Sequence, residues 1–208
     1  MSASEDARQY APSTARNRDV IRDVFREHML NSGTILEVAS GTGEHGVYIT
    51  DGLPGLNWAF TDFDANFRRS QSAWITHEAR ANLSGPYILD ASAADWGTEI
   101  EALNLDGMVC INMIHIAPFE VCQGLFAGAG RLLKSGQRLF LYGPYRRDGK
   151  QTSPSNEVFE DWLKARDGRF GVRDLESQIL PLASRNNLEL AHIIDMPANN
   201  FVLIFEKV

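Results

Sequence analysis

Cysteine is scarce in this 208-residue chain: Cys110 and Cys122 are the only two, and they form no C-x-x-C pair. That excludes a disulfide framework and a zinc-ribbon spacing, and leaves two buried thiols in a reducing compartment as the simplest reading. Long apolar runs are missing too, and no stretch approaches the roughly 20 residues that cross a bilayer. Basic charge is in deficit, with 20 Lys and Arg against 27 Asp and Glu and a formal net charge of -7. A chain of that sign has no general attraction to phosphate polymers, so neither nucleic acid nor a membrane surface is expected as a partner. The five histidines are scattered without metal-ligand spacing, so no metal is expected. Repeats and low-complexity segments are absent, and the opening MSASEDARQY is polar and acidic, unlike a secretory leader. These absences lead to the expectation of a cytoplasmic globular protein of undefined oligomeric state. The 44% hydrophobic content suits one domain spanning residues 1–208.

What is present alternates. Apolar positions at helical spacing, Val20, Ile21, Val24, Phe25 and Met29, predict a helix over residues 14–30 within an N-terminal helical segment 1–31. A short strand at 35–39 leads through glycines to a helix at 44–51. "NWAFTD" is a strand ending at Asp62, followed by a helix over 65–81 with Asp64 as its cap. "PYILDAS", "DGMVCIN" and "QRLFLYG" are further strands, with a helix opened by Pro118 before the last of them. Strands alternating with helices imply parallel pairing and a doubly wound α/β sheet. The end of the chain breaks the rule. Ser153 and Pro154 start a helix inside an insertion at 148–174, and a second helical stretch at 174–184 carries Pro181, which should kink or shorten it. "LELAHIIDM" and "FVLIFEKV" are then separated only by "PANN", too short for a crossover, so these strands should be antiparallel.

The chemistry centres on "ILEVASGTGEHG", residues 35–46, where Gly41, Gly43 and Gly46 give the G-x-G-x-x-G spacing of a dinucleotide loop. Glu37 precedes the first glycine from within the apolar run. At the carboxyl end of a central strand this carboxylate would repel a pyrophosphate and welcome a cation. S-adenosylmethionine, with a sulfonium, an ammonium and no phosphate, satisfies that demand. Glycine backbone would let it approach closely, and Asp62 at the end of the second strand could accept both ribose hydroxyls. Asp62 alone does not separate the two cofactors, because dinucleotide sites use the same device.

With those residues in place, the chain resembles the class I S-adenosylmethionine-dependent methyltransferases. "EVASGTGEHG" is similar to their first motif, "FTDFD" to the second, "LDAS" to the loop after strand three and "CINMIHI" to the end of strand four. More narrowly, "NMIHIAP", "LFLYGPY", "SPSNEVF", "GVRDLE" and "DMPANN" resemble an uncharacterised branch known mainly as a domain of unknown function. The resemblance implies a seven-stranded Rossmann-like sheet of order 3-2-1-4-5-7-6 with strand 7 antiparallel. It implies S-adenosylmethionine as cofactor and S-adenosylhomocysteine as product. It places Asp90 near the adenine amino group, the Ala91 N–H against the ring, and Asn112 and His115 where the methyl meets the acceptor. The Asp/Asn-Pro-Pro-aromatic sequence of nucleic-acid amino methylation is replaced here by Asn112-Met113-Ile114-His115, which argues against a base amine as acceptor.

The cofactor site is thus expected to comprise Glu37, Gly41, Gly43, Asp62, Asp90, Ala91 and Asn112. His115 is either a general base or a residue that orders its loop. The insertion has the length of a cover, and a partly aromatic acceptor pocket is expected from His115, Tyr145, Arg146, Asn156 and Asn199. Its arginine would favour a small anionic acceptor. In the bland alternative Arg146 faces solvent, Asn156 ties down the cover and Asn199 serves a turn. Two other functional classes stay open: a nicotinamide-dependent oxidoreductase, and a non-catalytic S-adenosylmethionine-binding module.

Overall fold

The computed structural model describes residues 6–208; the first five residues of the expected N-terminal segment 1–31 lie outside the described residues. Alternation of strand and helix runs as the sequence implies. Helix α1 (Pro12–His28) precedes β1 (Gly33–Glu37), α2 (Glu44–Gly52), β2 (Leu56–Asp62), α3 (Ala65–Glu78) and β3 (Leu83–Ile88). Then come α4 (Thr98–Glu101), β4 (Gly107–Ile111), α5 (Phe119–Leu132) and β5 (Arg138–Gly143). The chain finishes with β6 (Tyr145–Arg146), α6 (Pro154–Arg166), β7 (Arg173–Asp174), α7 (Leu180–Arg185), β8 (Leu188–Met196) and β9 (Asn200–Lys207). Seven strands form one sheet in the order β3-β2-β1-β4-β5-β9-β8, in which β9 runs antiparallel to both neighbours. That is the expected order, since β8 and β9 are the sixth and seventh strands of the main sheet.

Period-two alternation assigns each strand residue to a face. Met108 and Cys110 of β4 join Leu139 and Leu141 of β5 beneath α4, α5 and α7, while Val109 and Phe140 join Trp58 and Phe60 beneath α1, α2 and α3. Both faces are covered, so the central strands are apolar throughout. The sheet's carboxyl edge is therefore the open end where loops collect.

Helix ends explain where the boundaries moved. Pro12 at the start of α1 is tolerated because a first-turn N–H has no partner anyway, so the helix begins before residue 14. Helix α3 is capped by Asp64, whose side chain accepts from the Asn66 N–H at 2.7 Å. It stops at Glu78 rather than 81 because Ala79 turns left-handed at φ 51°. Pro118 caps α5 from one position outside. Ser153 caps α6 with Pro154 at its first turn. Ahead of Pro181 the chain takes a π-helical turn, Leu175–Ile179, in which the Leu180 N–H reaches back five residues to the Leu175 carbonyl. A proline has no N–H to donate, and the wider turn absorbs its ring. In the terminal hairpin the left-handed residues are Ala198 and Asn199.

Candidate active site

The three glycines divide their work. Gly41, at φ 55°, borders a cavity, and a Cβ there would meet no protein atom within 4 Å. Gly43, at φ 89°, starts α2 and lies behind the cavity wall, against Gln71 and Trp74. Gly46 lets α2 settle on the sheet: a Cβ would stand 2.3 Å from Trp58 Nε1 and 2.5 Å from the Phe60 ring. Trp58, so covered, donates its indole N–H to Glu37 Oε2 at 3.0 Å.

Glu37 ends β1 with 1% of its surface exposed. Burial pushes its carboxyl up to about 7 against the opposing Trp58 hydrogen bond. Asp62 ends β2, where Oδ2 accepts from the Gly41 N–H and Oδ1 from the Asp64 N–H, each at 2.9 Å. Burial raises its pKa as well, partly offset by those two donors. Asp90, past β3, is exposed, and its Oδ1 accepts from the Ser92 N–H and hydroxyl. These carboxylates face one cavity of about 680 Å³ at the carboxyl ends of β1 to β4, within the size range of small-molecule and cofactor sites.

Six of the seven residues expected around the cofactor line this cavity: Glu37, Gly41, Asp62, Asp90, Ala91 and Asn112. Gly43 does not. Residues that the sequence reading passed over also line it, notably Ser13, Thr14, Ser40, Thr42, His45, Phe63, Phe67 and Ile116. His45 was visible only as a neighbour of the loop; its Nε2 bonds Asn17 Oδ1 at 3.0 Å, and burial lowers its pKa to about 4. Four carboxylates (Glu37, Asp62, Asp64, Asp90) and no lysine or arginine line the wall among the described residues.

The expected acceptor residues are arranged otherwise. His115 and Tyr145 meet edge to face at 5.3 Å, both fully buried behind the cavity wall rather than in it. Burial pushes His115 down to about 3. Arg146 forms an ion pair with the buried Glu160, which also takes Lys164, so its charge is already answered. Asn156 donates to Thr152 Oγ1 and to the Asn199 carbonyl, while Asn199 Nδ2 donates to Ser155 Oγ. These bonds fasten α6 to the hairpin turn. The anion-binding pocket expected from these five residues is therefore not assembled by them: Arg146 is paired with Glu160, Asn156 and Asn199 bond within α6 and the hairpin turn, and His115 and Tyr145 do not line the cavity. A residue without any sequence signal holds the neighbouring loop: Arg173 donates to the carbonyls of Ile114 (2.9 Å), Ala117 (2.6 Å) and Arg169 (3.2 Å).

A family model described as "Protein of unknown function (DUF938)" matches residues 8–207. The chain belongs to that family. Among solved structures, this DUF938 protein is similar to an O-methyltransferase family protein from Burkholderia thailandensis, at 14% identity and a TM-score of 0.76, covering 94% of this chain and 57% of that one. It is similar to the mitomycin 7-O-methyltransferase MmcR at 13% identity and a TM-score of 0.75, covering 94% and 54%. The structure "PigF with SAH" matches at 15% identity and a TM-score of 0.67, covering 84% and 50%. At these identities the likeness is one of fold, that of the S-adenosylmethionine-dependent methyltransferases. The chain spans about half the length of these neighbours, 50–57%. No helix among the described residues is long and apolar enough to cross a membrane, and no group of three or more potential metal ligands occurs among them. Both cysteines are free and buried, and burial pushes the Cys122 thiol up to about 12.

Proposed function

We propose that the protein transfers the methyl group of S-adenosylmethionine to a small molecule. The observation that carries this reading is the sign of the cavity: four carboxylates and no lysine or arginine among its described lining residues. A dinucleotide pyrophosphate would meet ionised Glu37 as a like charge in a low-dielectric wall. A cationic, phosphate-free cofactor meets it as a partner. In this reading Glu37 holds the ammonium end and Asp62 accepts the ribose hydroxyls with the lone pairs its two backbone donors leave. Asp90 takes the adenine amino group through Oδ2, and Ala91 offers the ring its N–H. Gly41 keeps the wall low where the cofactor backbone passes, and Asn112 stands at the methyl end. The cofactor supplies an electrophilic methyl on a sulfonium. The chain's own task is alignment and exclusion of water, which requires no catalytic triad.

Calorimetry tests this directly. S-adenosylmethionine should bind the wild type, and Asp62→Ala should weaken it by at least about a hundredfold, two charge-assisted hydrogen bonds of roughly 1.5–3 kcal/mol each being lost. Tight NADH binding without S-adenosylmethionine binding would overturn the proposal in favour of an oxidoreductase. Screening small hydroxylated compounds, thiols and amines for release of S-adenosylhomocysteine then separates an enzyme from a non-catalytic binding module.

A further inference from the structure

S-adenosylmethionine carries a carboxylate on the same carbon as its ammonium, yet no lysine or arginine lines the cavity among the described residues. His45 supplies no charge either, since burial keeps its imidazole neutral. A carboxylate entering this cavity therefore needs donors without formal charge.

One stretch of the wall offers them. Ala11, Ser13 and Thr14 line the cavity from the start of α1. A polar side chain at the third position of a helix commonly bonds back to the N–H of the cap residue. Here the Ala11 N–H is held instead by Glu44 Oε2 at 2.6 Å. Thr14 stands at that third position, on the cavity wall and only 3% exposed, and its hydroxyl has no hydrogen-bond partner among the described residues. The Ser13 N–H, one residue earlier, lies in the first turn, where no helical carbonyl can serve it. Helix α1 runs for 17 residues with no acidic residue in its first turn and no side-chain cap, so partial positive charge gathers at this end. Glu44 is buried outside the cavity lining, and it also accepts from Thr42 Oγ1 at 2.9 Å.

The same contacts fix where this turn lies. Glu44 ties Ala11 to Thr42, and Asn17 Oδ1 meets His45 Nε2 at 3.0 Å. The first turn of α1 is thereby fastened over the loop that follows Glu37. An ammonium and a carboxylate on one carbon need partners on two sides of one space, and the end of β1 and the start of α1 supply them.

We propose that the first turn of α1 binds the α-carboxylate of S-adenosylmethionine through the Thr14 hydroxyl and the Ser13 N–H; this rests on the methyl-transfer reading of the cavity. Two neutral donors at a helix N-terminus take the role an arginine would otherwise fill. The turn thus selects the complete cofactor over forms that lack the amino-acid carboxylate.

Three ligands measured by calorimetry test this: S-adenosylmethionine, its decarboxylated form, which keeps the sulfonium and the amine, and methylthioadenosine, which keeps only the nucleoside end. Thr14→Val should weaken S-adenosylmethionine by at least about tenfold and leave the other two within about twofold, because only the first ligand loses a hydrogen bond to a charged group. Thr14→Ser keeps the hydroxyl and should bind all three as the wild type does. In the wild-type protein, the Ser13 amide proton should move downfield in NMR spectra with S-adenosylmethionine and stay in place with the decarboxylated form. Equal weakening of all three ligands by Thr14→Val, unchanged binding of S-adenosylmethionine, or a Ser13 amide that responds alike to both sulfonium ligands would each overturn the proposal. Methylthioadenosine bound without S-adenosylmethionine would overturn it too, while the nucleoside site would stand. Failure of all three to bind the wild type overturns the methyl-transfer reading beneath it.

Discussion

Glu37 shows how one residue type in one place constrains both stability and ligand. Its folded pKa of about 7 lies above the ordinary 4.5 because of burial. Below about pH 4.5 both folded and unfolded chains hold it protonated. As pH rises toward 7 the unfolded chain ionises first, so folding weakens through that window and the loss is complete above it. Glu37→Gln keeps an acceptor for Trp58 and removes the ionisation. It should gain ~3 kcal/mol over wild type at pH 8 and almost nothing at pH 4, measured by urea melts. Equal gains at both pH values would mean that ionisation is not the cause. A cation beside Glu37 favours its charged form. S-adenosylmethionine binding near pH 7 should therefore release up to about half a proton per site in the wild type and none in Glu37→Gln, read by calorimetry in buffers of different ionisation enthalpy. The carboxylate inside an apolar run was legible in the sequence. The Trp58 indole that holds it was not, because that contact joins β1 to β2.

At the scale of elements, local chemistry predicted ends well and long-range support poorly. Asp64 and Ser153 were readable as caps because a cap acts on backbone two or three residues away. Asp64→Ala should cost about 1 kcal/mol, a drop of roughly 2–4 °C in melting temperature at this length, seen by circular dichroism. Arg173 is the opposite case. Strand β7, on which it lies, has two residues and so no periodicity to detect. Yet its guanidinium bridges the carbonyls of Ile114 and Ala117, fixing the loop that carries His115. Arg173→Ala should lower stability by roughly 2–4 kcal/mol, since buried carbonyls lose charged donors. Arg173→Lys should restore only part, because one ammonium on a flexible stem cannot span both carbonyls as a planar fork does. Full rescue by lysine in thermal melts would show that charge alone suffices.

For the whole molecule, sign and layering matter more than any single contact. With 27 acidic residues against 20 basic, and acidic groups concentrated at the cavity, no tight and salt-sensitive binding to generic DNA or RNA is expected. A gel shift at moderate salt should show no submicromolar complex; one that appears would direct attention to the short basic run after β5, Arg146, Arg147 and Lys150. The sheet delivers Glu37, Asp62, Asp90 and Asn112 to one edge because parallel strands all end on the same side. Residues on four separate elements thereby become neighbours.

Parallel pairing, the antiparallel hairpin and the placing of Glu37, Gly41 and Asp62 at strand ends were determined by the sequence itself, since alternation, turn length and glycine spacing are local signals; the strand order and the cavity-lining Asp90, Ala91 and Asn112 were legible only through the family resemblance. The partners of Arg146, Asn156 and Asn199 were decided only by the tertiary structure. Glu160 answers Arg146 from across the insertion, and the hairpin turn takes up both asparagines. The sealing of His115 against Tyr145 belongs with them. Which side chain is free and which is spent depends on groups far away in the chain that folding brings within hydrogen-bond range, and no periodicity or spacing encodes that distance.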